Sequence, residues 1–360
     1  MAGNVKYLAR PVTVIFRPSF SNGEMDDRRN DQQSDSLGDR VIGEVRAREF
    51  SEENVEQRQG GFRCFRLGLT QEIWADPPVD SRGVTSWRVQ VRTTALRGFD
   101  GSSLQLRALS FAVSQSPVSS VVRSLENPTR LQLASTFHVN AGNLLWAPRL
   151  IAFVVQRQLI EASQLGRASV FLDTGIEVDE NGIASPWRGA PMPDMHEIEP
   201  DELFDADVTQ VAEIAQTLAT LHDVWYLHTV KTPRGVTARI PAQDPKAGDE
   251  DILIEIEVKS HSRLGLGLAV TLSVPGWADM SDALGFAESE VEMSCRNDLL
   301  GSWSVEANML MHRAFFPLFV ASRAVALHVA TAAVRRALWL DLGPGTVPPR
   351  RRLRRFPPNY

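Results

Sequence analysis

The sequence predicts an α+β protein built from two tandem α/β sandwiches, each an antiparallel sheet closed by one long helix. Three observations carry this. Short alternating segments such as "SWRVQVRTTAL" and "ILIEIEV" have the two-residue period of half-buried strands. Each cluster of such segments ends in a long apolar run with helical periodicity and a proline near its start, "LLWAPRLIAFVVQRQLIEAS" at 144–163 and "FFPLFVASRAVALHVATAAV" at 315–334. Between the clusters, residues 173–206 are rich in proline, glycine and acid, the composition of a linker. A chain of 360 residues has room for two cores of ordinary size.

In order along the chain, 5–17 reads as a strand through Val12, Val14 and Phe16. Residues 18–60 carry many charges and few apolar groups, so a flexible segment is expected there, ending in a short polar helix "EVRAREFSEENVEQRQ". The first sandwich is expected over 61–172. It has strands in "FRCFRLGLTQEIWA", "SWRVQVRTTAL" and "SLQLRALSFAVS", then a short helix "SPVSSVVRSLENP" opened by Ser116 and Pro117, and then a strand "TRLQLASTFHV". Its closing helix follows Pro148 and carries the stripe Ile151, Val155, Leu159 and Ala162, with Arg149, Gln156, Arg157 and Glu161 off it.

The second sandwich is expected over 207–342. Asp207 and Gln210 form a capping-box pattern before a helix with Val211, Ile214 and Leu218 on one face. Strands follow at "GVTARIP", "ILIEIEV" and "LGLGLAVTLSV", then a short helix "GWADMSDALGFA", then strands "ESEVEMSC" and "SWSVEANMLM", with Pro317 opening the last helix. The order is α-β-β-β-α-β-β-α, and the first half supplies much of the same order, which suggests an internal repeat. Residues 343–360 form a basic, proline-rich tail.

That element order, the segment "LGSWSVEANMLMHRAFFPLFVASRA" and the long helix after it resemble the type III secretion chaperone-like fold, including the bacterial YbjN-type proteins. The resemblance implies a compact α/β sandwich that binds other proteins through its sheet or grooves, often as a dimer. Two copies in one chain would then imitate the dimer internally. The "SNGEMDD" loop, the acidic linker and the arginine tail have no place in that pattern.

Composition narrows the chemistry. A net charge of −6 gives the body no electrostatic reason to bind nucleic acid. The two cysteines, Cys64 and Cys295, have no metal or disulfide spacing, and no leader pattern opens the chain, so a cytoplasmic location is expected. Residues 315–334 have the length of a membrane span, but Arg323 and His328 interrupt the run, so a helix buried against a sheet is expected instead. His222 and His228 are six residues apart, off the spacing that sets two ligands on one helical face. The acids Glu197, Glu199, Asp201, Glu202, Asp205 and Asp207 surround Pro200 and lack the glycine of a metal loop, which suits a solvated linker. Neither a nucleophile elbow nor a phosphate loop is present, and "GLGL" at 265–268 lies inside a strand pattern.

No cofactor is expected. The expected role is a non-enzymatic adaptor or chaperone-like protein acting on a partner protein, with homo-oligomerisation open. The alternatives are a structural subunit of a larger bacterial assembly or filament, and an enzyme with a site scattered over the chain. The candidate partner-binding residues are Arg350, Arg351, Arg352, Arg354, Arg355 and Phe356 of the tail, which is also the only expected route to nucleic acid.

Overall fold

The computed structural model describes residues 37–50, 55–66, 68–81, 83–114, 116–166, 173–178, 208–224, 228–240, 251–276, 279–292 and 298–341. The chain is α+β, with six helices and two antiparallel sheets among these residues. The first half runs α1 (Leu37–Glu49), β1 (Val55–Arg58), β2 (Gly61–Arg66), β3 (Leu69–Ala75), β4 (Val79–Ser81), β5 (Val84–Arg97), α2 (Ser103–Val113), β6 (Ser120–Arg123), β7 (Leu131–Val139), α3 (Ala147–Gly166) and β8 (Glu177–Val178). The second runs α4 (Val208–Val224), β9 (His228–Thr232), β10 (Gly235–Ile240), β11 (Ile252–His261), β12 (Gly265–Pro275), α5 (Met280–Glu292), β13 (Ser302–Glu306), β14 (Met309–Pro317) and α6 (Arg323–Asp341).

The halves share one topology. The first sheet is ordered β1-β2-β3-β5-β7-β6, with β4 and β8 as additions on β5, and the second is ordered β9-β10-β11-β12-β14-β13. Both follow helix, four-strand meander, helix, hairpin, helix, which is one strand more than the order read from the sequence. The extra strands are β1, inside a stretch read as a polar helix, and β9, which no alternation announced. The charged segment before residue 60 therefore contributes α1 and β1 rather than staying wholly flexible.

Four other expectations are corrected. "SLQLRALSFAVS" is helix α2, capped by Ser102, whose Oγ accepts from the Gln105 amide, and it buries Gln105, Ala108, Leu109 and Val113 at helical spacing. "SPVSSVVRSLENP" holds strand β6, because the β-branched pair Val121 and Val122 matches the pleat beside β7. "ESEVEMSC" begins inside α5. "SWSVEANMLM" is a hairpin, reversed at Ala307 and Asn308 with φ of 48° and 62°. Pro317 accordingly ends β14, and α6 starts at Arg323, with the Val325 amide donating to Ser322 Oγ at 3.2 Å.

Each core lies between a sheet and its closing helix. Helix α3 covers β5 and β7 with Ile151, Val155, Leu159 and Ala162 buried, while α1 packs on α3 and β3. Helix α6 covers β11 and β12 through Val325, Val329 and Ala333, and α4 adds Ile214 and Leu218. Gly267 permits close approach in β12, since a Cβ there would lie 2.6 Å from the Phe315 ring. Within the described residues, no helix is long and apolar enough to cross a membrane.

Candidate functional site

The two halves meet at their hairpins. Helix α5 lies across β6 and β7 of the first half, and α2 lies across β13 of the second. Ser120 pairs with Ala134 and Ser302 with Arg313, so Thr136 corresponds to Phe315 and Pro117 to Leu299. The backbone bonds across the seam respect this correspondence. Thr136 N–H donates to the Leu299 carbonyl at 3.0 Å, and Phe315 N–H donates to the Pro117 carbonyl at 2.9 Å. Gly301 N–H adds a third bond, to the Val118 carbonyl at 2.9 Å. Segments 116–119 and 298–301 thus each precede an edge strand and reach into the opposite half.

A carboxylate stands at one end of the seam. Asp298 accepts from the His138 backbone N–H at 2.7 Å and from His138 Nδ1 at 2.8 Å, both on β7, and from His328 Nε2 on α6. It is 4% exposed. Burial pushes its carboxyl up, but the electrostatic pull of His328 and the bonds from both imidazoles overcome this and hold it below the usual carboxylate range. Its backbone carbonyl accepts from Arg336 at 2.8 Å, Arg336 pairs with buried Glu290, and Glu290 accepts from Trp303 Nε1 at 2.8 Å. His328 packs against Phe137 and Trp146, with ring centroids 5.3 Å away in each case.

The corresponding first-half position is Ser116. Its hydroxyl bonds Glu161 of α3, which also pairs with Arg157 at 3.3 Å. Glu161 and Arg157 are buried, not on the wet side of the helix as their spacing implied. Burial raises the Glu161 carboxyl to about 7, outweighing Arg157 and Ser116. Behind it runs a buried polar chain. Gln71 donates to Thr93 Oγ1 at 2.9 Å, Thr93 donates to Gln158 at 2.8 Å, and Gln158 donates to Ser135 at 3.2 Å. In the second half the positions of Gln71 and Thr93 are Ile254 and Leu272, and polarity moves to the other end of the row, at His312 and Trp303. Burial lowers the His312 imidazole well below its ordinary value.

The opposite face of the first sheet is half open. Arg63, Glu72 and Arg92 are cross-strand neighbours on β2, β3 and β5, and Trp74 sits opposite Gln90. Arg63 pairs with Glu72. Arg88 pairs with Asp76 and donates to the Val291 carbonyl at 2.7 Å, which ties this face to α5. Arg92 donates to Gln90 Oε1 at 3.1 Å, and its guanidinium lies 5.4 Å from the Trp74 ring centre. Burial, then the charge of Arg88, lower its pKa. This face combines ordered charge, aromatic surface and access, which suits recognition of a chain laid across it.

The residues singled out from sequence fare differently. Arg350, Arg351, Arg352, Arg354, Arg355 and Phe356 lie outside the described residues, as do Cys295 and the acids from Glu197 to Asp207. Gln210, read as half of a capping box, instead donates to the Leu318 and Ala321 carbonyls at 2.7 and 2.6 Å. Cys64 is buried, and burial pushes its thiol up to about 12. The His138–Asp298–His328 group was not anticipated, because its members are 160 and 30 residues apart and share no motif. Among the described residues, no group of three or more metal-ligating side chains is placed to hold an ion. A small void beneath α3 is lined mainly by apolar side chains, including Val89, Val91, Leu150, Ile151 and Leu300.

Neither family models, nor curated proteins, nor solved structures gave a match to this chain.

Proposed function

We propose that this chain is a non-catalytic, cytoplasmic protein-binding module of chaperone-like type, which holds a partner protein against the half-open face of its first sheet. The observation that carries this is the reciprocal packing of two sheets of one topology, an internal equivalent of a dimer, with the Arg63–Glu72–Arg92–Trp74 face left accessible beside it. The buried Asp298 and its two histidines fit a structural role in this reading, since their hydrogen bonds join β7, α6 and the 298–301 segment.

Site-specific photo-crosslinking tests it. A benzophenone side chain at Thr94 on the face should give one saturable adduct with a partner protein in cells, and the same group at exposed Leu338 of α6 should not. Equal, diffuse labelling from both positions would argue against the reading. A chain ending at Leu342 should keep the adduct. Its loss would assign docking to the arginine tail. The size of the purified protein separates a discrete particle from a filament subunit.

A further inference from the structure

We propose that Arg92 is the anchor for a carboxylate side chain of a polypeptide laid across the first sheet. This rests on the protein-binding reading above and names the chemistry of what binds.

Four arginines project from this face, and Arg58 at its β1 edge pairs with Glu56 at 3.0 Å. Arg63 has Glu72, with Glu56 also within 3.8 Å, and Arg88 has Asp76. Arg92 has no carboxylate within ion-pair distance among the described residues. Its polar contact is the neutral Gln90 amide, and its buried Nε has no partner. Glu72 and Asp76 act on Arg92 only from beyond ion-pair distance, so a guanidinium partly withdrawn from water lacks a direct partner, and its planar fork favours a carboxylate. Trp74 supports the guanidinium from below at 5.4 Å. Asp76 is already engaged by Arg88, Gln90 and Trp74, so it is not a ready substitute partner.

The surroundings select the kind of anion. Glu56, Glu72 and Asp76 offset Arg58, Arg63 and Arg88, and the whole chain carries −6. So balanced a set offers a polyanion such as nucleic acid little to bind, whereas one carboxylate flanked by neutral or apolar residues matches the one arginine of this face that has no carboxylate at ion-pair distance among the described residues. The apolar neighbours of that carboxylate would lie over Trp74.

The probe is the capped hexapeptide Ser-Leu-Glu-Leu-Ser-Ser, compared with its glutamine twin and with a hexathymidylate. The readout is the Arg side-chain Nε–Hε NMR spectrum of the full chain, with the Arg92 signal assigned through Arg92→Lys. The glutamate peptide should shift the Arg92 and Trp74 signals saturably, and the twin should bind at least tenfold more weakly. Arg92→Gln should abolish the difference between the two peptides. Equal binding of the twins, shifts confined to other residues, tighter binding of hexathymidylate, or no shift at about 10 mM peptide would each overturn the proposal. The twin comparison needs no variant, so a folding defect cannot mimic success. A partner crosslinked at Thr94 with no glutamate preference would leave the protein-binding reading intact while removing Arg92 as its anchor.

Discussion

Thr136 of the first half hands its backbone hydrogen to Leu299 of the second at 3.0 Å, and the pseudo-equivalent pair, Phe315 and Pro117, does the same in the opposite direction at 2.9 Å. Each half thus supplies backbone acceptors for the other at the seam. The α2–α5 contact and the Arg123–Glu288 pair extend this joint along the seam.

If this joint holds the molecule together, the covalent connection is dispensable once folding is complete. A protease site placed between Val178 and Val208 should be cleavable without separating the fragments. They should co-migrate in size-exclusion chromatography under native conditions and part only in denaturant. Separation in buffer alone would mean that the seam is weaker than its hydrogen bonding implies.

Asp298 should dominate the acid limb of stability. Its folded-state pKa is depressed, so it contributes stability above the unfolded value, about 4 for an ordinary aspartate, and loses it as pH falls toward the folded one. Asp298→Asn should flatten the fall in melting temperature below about pH 4. Asp298→Ala strands the His138 amide and two imidazoles, and should cost about 3 to 5 kcal/mol in denaturant unfolding at neutral pH.

Glu161 acts with the opposite sign. Its pKa is raised from 4.5 to about 7, so the folded chain holds the proton more tightly than the unfolded one. Stability should therefore fall as pH rises from about 4.5 to 7, by an amount on the order of 3 kcal/mol. Glu161→Gln keeps an acceptor for Ser116 and removes the charge. It should flatten that limb and leave the variant more stable than the parent at pH 8, as read from melting curves across the range.

The β13–β14 turn places Ala307 in a left-handed conformation with φ of 48°. A Cβ in that region costs roughly 1 kcal/mol, and asparagine followed by glycine suits such a hairpin better. The double change Ala307→Asn with Asn308→Gly should raise stability by about 1 kcal/mol, checked by chemical denaturation.

Much of the sheet was legible because its cause is local. "ILIEIEV" alternates, and β11 buries Ile252, Ile254, Ile256 and Val258. Helix α2 was misread because Leu104, Leu106, Leu109 and Phe111 mimic a strand alternation, although Leu104 and Phe111 are exposed and the buried positions include the polar Gln105. The hairpin at Ala307 and Asn308 was missed because alanine gives no turn signal. The seam was hidden for a different reason. Ser116, His138, Asp298 and His328 acquire meaning only when strands far apart in sequence come together, and no local period encodes that. The open face was half legible: the arginines of "SWRVQVRTTAL" read as a wet side, but the missing counter-charge at Arg92 depends on what β2 and β3 bring beside it.

The strand order leaves β1 and β9 as the outer margins of the two sheets, each hydrogen-bonded to a single strand among the described residues. Such margins invite further strands, and end-to-end accretion of copies would be the natural hazard. Here β1 is four residues long with Glu56 and Arg58 exposed, and β9 is five residues long with Lys231 exposed. Short, charged borders of this kind resist templating by another chain. These selvedges hinder the laying of a further strand on either border.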